Sequence, residues 1–227
     1  MRAGILALMV VLVALLLLPF LLADAMIGGL LALGLSPRIA LLLVIGIFLG
    51  SMFNVPVWRR TTGARVIEYQ QQALFGIERL VPRVLHADAQ QVIALNVGGC
   101  ILPVLIVGYE LLRLFARADS AAIATALAVI AVNIGVCHRL ARPVAGLGIL
   151  LPALVPGCLA ALLAQLLVHA HAPSVAFCAG VLGPLVGADV LHLRDLDRRS
   201  VGMLSIGGAG TFDGIVISGF LALLLSA

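Results

Sequence analysis

The sequence predicts an all-α polytopic membrane protein, a transmembrane bundle of about seven spans with its amino terminus in the cytoplasm and its carboxyl terminus outside. Three observations carry this. Of the 227 residues, 63% are hydrophobic and 11% charged, against roughly 25% charged in an ordinary soluble domain; the mean hydropathy is +1.23. Apolar runs near the roughly 20 residues that a bilayer-crossing helix needs recur along the whole chain with short polar breaks. The arginines, finally, segregate between alternate breaks.

The predicted spans are 4–23, 37–57, 91–114, 120–137, 146–168, 174–193 and 209–226. The first follows Arg2 and ends before Ala23-Asp24-Ala25, a small-residue segment of the kind that closes a secretory signal. Its apolar core exceeds the roughly 7 to 15 residues of a signal, which favours an uncleaved helix. Between the first two spans, residues 24–35 are apolar but short, with Gly28, Gly29 and Gly34; they are either an outer hairpin or an extension of the first helix.

One polar segment of size interrupts this single integral membrane domain, 1–227. Residues 58–90 begin Trp58-Arg59-Arg60 and carry Arg65, Arg79 and Arg83. Val66, Tyr69, Ala73 and Ile77 fall at helical spacing, so the segment reads either as an amphipathic helix on the cytoplasmic membrane surface or as a solvated loop. Farther on, Pro143, Gly146, Gly148, Pro152 and Pro156 make the start of the fifth span irregular, which lines a cavity or kinks a helix.

Orientation follows from charge. With the amino terminus inside, the cytoplasmic faces hold Arg2, Arg59, Arg60, Arg65, Arg79, Arg83, Arg139, Arg142, Arg194, Arg198 and Arg199, and the outer faces hold Arg38, Arg113 and Arg117, which is the positive-inside pattern. The net charge of +4 therefore reports topology. With no basic stripe interleaved with aromatics, no nucleic-acid partner is expected. The four cysteines have no close spacing, so neither a disulfide framework nor a zinc ribbon is expected.

Ionisable groups inside a span are costly and are functional candidates by default. Asp189 sits near the cytoplasmic end of the sixth span and Asp213 near that of the seventh, and the loop from Arg194 to Gly202 joins the two. Consecutive antiparallel helices bring both carboxyls to one depth. Close carboxyls share a proton, making one acid and one base, as water-activated amide hydrolysis requires. Thr211 caps a helix whose first turn holds Asp213, so the two acids start unequal. Alternatively, Asp213 is only a first-turn acid, and Asp189 pairs with Arg194 or His192.

Around them, Gly207, Gly208 and Gly210 either let helices pack closely or leave a broken helix with bare amides. Asn96 and Asn133 are candidates for supporting polar contacts between helices. Asp189, His192 and Asp195 share one helical face, but no second such set exists, and no metal is expected. His169, His171 and the Cys137-His138 pair read as interfacial. No Walker loop, Rossmann fingerprint, HExxH or GxSxG occurs, and no cofactor is expected.

In order along the chain, Leu33-Gly34-Leu35-Ser36-Pro37, Asn54-Val55-Pro56, Asn96-Val97-Gly98-Gly99, Arg142-Pro143-Val144, Gly183 to Asp189 and Ser205 to Gly214 resemble an uncharacterised family of bacterial and archaeal membrane proteins, the domain of unknown function numbered 1614. The resemblance implies a multi-pass protein of the prokaryotic inner membrane and no particular activity. A looser similarity is to aspartyl intramembrane proteases of the presenilin and prepilin peptidase type, with one aspartate on each of two neighbouring helices and one of these in a GxGD motif. Gly187-Ala188-Asp189 has one glycine where that motif has two, Thr211-Phe212 intervenes before Asp213, and no Pro-Ala-Leu follows.

Three functions remain open on these residues. One is a membrane hydrolase with Asp189 and Asp213 as catalytic dyad, cutting a membrane-embedded peptide. Another is a proton- or cation-coupled transporter or channel that binds a small ion or solute at the same acids. The third is a non-catalytic scaffold whose acids are structural.

Overall fold

The computed structural model describes residues 2–74, 77–144, 148–193 and 202–227. The charged loop expected from Arg194, with Asp195, Arg198 and Arg199, lies outside the described residues, as does Gly146. The chain is mostly helical, with seven α-helices among the described residues: α1 (Arg2–Ala32), α2 (Pro37–Gly50), α3 (Leu102–Arg117), α4 (Ser120–Leu140), α5 (Leu154–Leu167), α6 (Ala172–Leu182) and α7 (Gly214–Ser226).

Two helix starts are legible in local chemistry. Ser36 caps α2 ahead of Pro37, whose missing N–H costs nothing in the first turn. Asp119 caps α4 by accepting from Ala122 N at 2.7 Å. Of the two alternatives for residues 24–35, the helix extension is observed: α1 runs on to Ala32 and then turns through Gly34, at φ +79°. Pro19 lies within α1.

α6 occupies the middle of the bundle and packs against α3, α4, α5 and α7. Its residues from Val175 to Val181 are all buried, and Phe177 meets Phe220 of α7 edge to face at 5.5 Å between ring centroids. The outward faces carry the opposite message: Leu16, Phe20, Leu42, Leu112 and Leu166 are each at least 68% exposed. A soluble surface rarely shows so much contiguous apolar area.

Four helical stretches are long and apolar enough to cross a membrane: Val11–Ala32, Val97–Arg117, Ser120–Leu140 and His169–Val190. α2, α5 and α7 are shorter, at 14, 14 and 13 residues. At ~1.5 Å per residue each reaches roughly 20 Å, less than a hydrocarbon core of about 30 Å.

The expectations for 58–90 and for a purely helical fold are corrected. β1 (Asn54–Leu74) and β2 (Ile77–Asn96) form a long antiparallel ribbon running from Asn54 opposite Asn96 to Leu74 opposite Ile77. β5 (Gly202–Ile206) adds parallel to the base of β2, from Gln91 to Leu95. Two further strands, β3 (Arg142–Val144) and β4 (Gly148–Leu150), pair as a short hairpin before α5. Thus the second predicted span stops at Gly50, and the third begins as strand.

The reason is compositional. The segment is rich in β-branched residues, including Val55, Val57, Thr61, Thr62, Val66, Ile67, Val81 and Val84, and Gly63 and Pro82 both disfavour a helix. The spacing of Val66, Tyr69, Ala73 and Ile77 was coincidental with the helical period. Pro56, which has no N–H for the ladder, coincides with a register shift before Trp58.

Candidate functional site

Most of the predicted site residues lie at one end of the bundle, where the α2 terminus, the π-helical segments and the turn before α7 are found. The first π segment, Val97–Ile101, is capped by Asn96. The Asn96 side chain is completely buried and reaches in three directions: Oδ1 accepts from Gly99 N at 2.7 Å, and Nδ2 donates to Ser51 O at 2.8 Å and to Asn54 Oδ1 at 3.1 Å. Ser205 Oγ donates to the same Asn54 oxygen. One asparagine therefore ties α2, the ribbon base and the π segment together, in keeping with its expected role as a polar tie.

The glycines close this junction. A Cβ on Gly99 would stand 2.1 Å from Gly207 O, and one on Gly98 would stand 2.0 Å from Ile47 O. Gly207 and Gly210 adopt φ of +71° and +62°, a region side chains avoid, and a Cβ on Gly210 would strike Ser51 at 2.4 Å. Gly208 is exposed beside Ser205. Of the two readings of the glycine run, close backbone packing is what the structure contains at Gly207 and Gly210.

Thr211 does not cap α7. It is buried, and its Oγ1 shares a hydrogen bond with Ser51 Oγ at 3.1 Å. Asp213 is itself the cap: Oδ1 accepts from Ile215 N at 3.0 Å and Oδ2 from Ala209 N at 3.3 Å. The expected favourable meeting of Asp213 with a helix start is thus realised by another atom set.

Asp189 lies in the second π segment, Gly183–Val190, which continues α6. Both aspartates are half-buried, and their carboxyls are within electrostatic reach of one another and of the buried Cys100 thiol. The π segments bearing Cys100 and Asp189 are wider than α-helix, a geometry frequent at functional sites. His192 is buried one turn beyond Asp189; its Nδ1 faces the Ala188 and Gly187 carbonyls at 2.9 and 3.2 Å, and its ring lies 4.5 Å from that of His138. It joins α4 to α6 instead of meeting the carboxyl pair through that nitrogen.

Asn133 lies apart, within the bundle. It is completely buried and donates to Ala179 O at 2.7 Å, at a point where Gly183 leaves room for its amide.

Glu110, not among the residues expected to be functional, is also buried. On α3, facing the opposite end of the bundle from the aspartates, it is 1% exposed, with Oε1 2.9 Å from Arg113 Nη1 and Oε2 accepting from Ser174 Oγ at 2.7 Å. Arg113 also donates to Leu33 O at the end of α1. A lone acid within an apolar run, with arginine one turn on, was the signal that could have found it.

No curated protein and no solved structure matches this chain, and the looser likeness to aspartyl intramembrane proteases finds no support. The model of one uncharacterised family does match, over residues 48–225, which takes in the ribbon, both π segments and both aspartates. The chain therefore belongs to the family described as Protein of unknown function (DUF1614).

Proposed function

We propose that this protein crosses the prokaryotic cytoplasmic membrane seven times, amino terminus inside, and couples a proton or small cation to transport at the Asp189–Asp213 pair near the inner face. The reading rests on two half-buried carboxyls placed at the same end of an apolar bundle, on the π continuation of α6 and at the cap of α7. Two like charges so placed repel unless a cation or proton lies between them. The positive-inside count supports the orientation, and α2, α5 and α7 complete the seven spans together with the irregular segments flanking them.

A hydrolytic dyad needs its two carboxyls within hydrogen-bond reach, and no such bond joins Asp189 and Asp213 among the described residues. Both Asp213 oxygens are held by backbone amides of its own turn, and the glycines that would meet an extended peptide are packed against Gly99 and Ser51. A cation needs only the remaining lone pairs of such fixed oxygens.

Dicyclohexylcarbodiimide, which attacks protonated carboxyls in apolar surroundings, tests the reading on the membrane-embedded protein. Peptide mapping is expected to find Asp189 or Asp213 modified, with modification suppressed at high pH or by the coupled cation. Reconstituted vesicles should lose ion-driven uptake in Asp189→Asn and Asp213→Asn. Absence of modification in the folded protein, with uptake equal in wild type and both variants, refutes it.

A further inference from the structure

A cleft of about 590 Å³, within the usual size of a small-molecule site, opens between two loops at one end of the bundle. Arg117 and Asp119, from the turn between α3 and α4, line one side, and Leu167, His169 and His171, from the turn between α5 and α6, line the other. Arg117, Ser120 and His169 are also end residues of three of the stretches long enough to cross a membrane. The cleft therefore sits at headgroup depth, and on the orientation proposed above it faces outward. Asp189 is at the far part of the His169–Val190 stretch, roughly 30 Å away at ~1.5 Å per residue, and nothing here rests on the aspartate pair.

The lining carries both signs of charge, held apart. Arg117 and Asp119 share the cleft without pairing, since the one ion pair among the described residues joins Glu110 and Arg113. Asp119 Oδ1 accepts from Ala122 N as the cap of α4, and Oδ2 has no partner among the described residues. His169 is oriented through α5: Gln165 Nε2 donates to Ser226 O at 2.8 Å, so Gln165 Oε1 accepts from His169 Nδ1 at 2.9 Å. With Nδ1 as the donor, Nε2 of the neutral ring is an acceptor. A guanidinium with donors to spare thus stands across one cleft from two acceptors, Asp119 Oδ2 and His169 Nε2. An anion alone would leave the carboxylate uncompensated, and a cation alone would leave the guanidinium so.

The cleft also has an apolar margin. Leu167 lines it and is exposed, and next to it Leu166 and Leu162, one turn apart on the same face of α5, are exposed as well. Apolar surface therefore runs from the cleft edge along α5 toward the bilayer centre, where acyl chains lie and where a soluble ligand has nothing to meet.

We propose that this cleft binds the headgroup of a phospholipid bearing a primary ammonium, with its phosphate on Arg117, its ammonium on Asp119 and His169, and its acyl chains along α5. Phosphatidylcholine has no N–H to give the two acceptors, and phosphatidylglycerol has no cation for Asp119.

Native mass spectrometry tests this on the full chain, delipidated in detergent and offered equal mole fractions of phosphatidylethanolamine, phosphatidylcholine and phosphatidylglycerol. Wild type is expected to retain phosphatidylethanolamine over either competitor about tenfold, the preference that one charge-assisted hydrogen bond supplies. Asp119→Asn keeps the helix cap and should lose the preference over phosphatidylcholine. Arg117→Gln should lower phosphatidylethanolamine retention about tenfold. Both residues are exposed, so both variants should melt close to wild type. Equal retention of the three lipids, a preference for phosphatidylglycerol, or an ethanolamine preference that survives either substitution overturns the proposal. Displacement of the lipid by an equal concentration of glycerophosphoethanolamine, the headgroup without its chains, would make the ligand a soluble zwitterion and overturn the lipid.

Discussion

Replacing Gly99 by alanine should open the junction that carries the aspartate pair. The new Cβ would stand 2.1 Å from Gly207 O and 2.9 Å from Gly207 C, against an ordinary carbon–oxygen separation near 3.5 Å. Neither partner can yield by rotating a side chain, since both are backbone. The Val97–Ile101 segment and the turn through Gly207 must therefore part by roughly 1 Å, and the turn is anchored by the Thr211–Ser51 bond and by Asp213 on Ala209. Overpacking of this kind costs about 1–3 kcal/mol. For a chain of this size each kcal/mol moves the midpoint by ~2–4 °C, giving a drop of about 2–12 °C. Gly108→Ala is the control, because no atom lies within 4 Å of the position its Cβ would take; in a helix it should be neutral or stabilise by ~0.5–1 kcal/mol. Thermal unfolding in detergent, followed by dye binding or tryptophan emission, reads both. If Gly99→Ala melts with wild type, the backbone contact between the two segments does not exist as described.

Two further outcomes follow from the same structure. Asp213→Asn should retain the helix cap, since asparagine caps as well as aspartate, and melt close to wild type while losing uptake, whereas Asp213→Ala should lose a further ~1 kcal/mol of stability; a large loss of stability in Asp213→Asn would mean the charge is structural. In a cysteine-free background, Ala64→Cys with Ala87→Cys should form a disulfide on mild oxidation, because the ribbon places the two positions opposite each other. An amphipathic helix, one of the two readings of this segment from the sequence, would hold them about 35 Å apart, so failure to crosslink refutes the ribbon.

What the sequence determined by itself is the apolar, helical character of the chain. Apolar runs recurring from one end of the chain to the other, together with few charges, are local quantities and need no partner to be read. They sufficed for a mostly helical chain with helices apolar enough to cross a membrane, for the approximate place of the helices, and for placing Asp189 and Asp213 at the same end. The acids were legible because lipid makes each one conspicuous. Tertiary structure alone decided the rest. Whether 58–90 is helix or strand depended on pairing between Asn54–Leu74 and Ile77–Asn96, where β-branched content outweighed a helical spacing of four residues. Whether Gly207 meets a peptide or Gly99, whether Thr211 or Asp213 caps α7, and whether Glu110 faces lipid or Ser174 are all questions of contact between residues far apart in the chain. Such contacts are set by which close approach buries polar atoms with partners, and no window of sequence contains both sides of them.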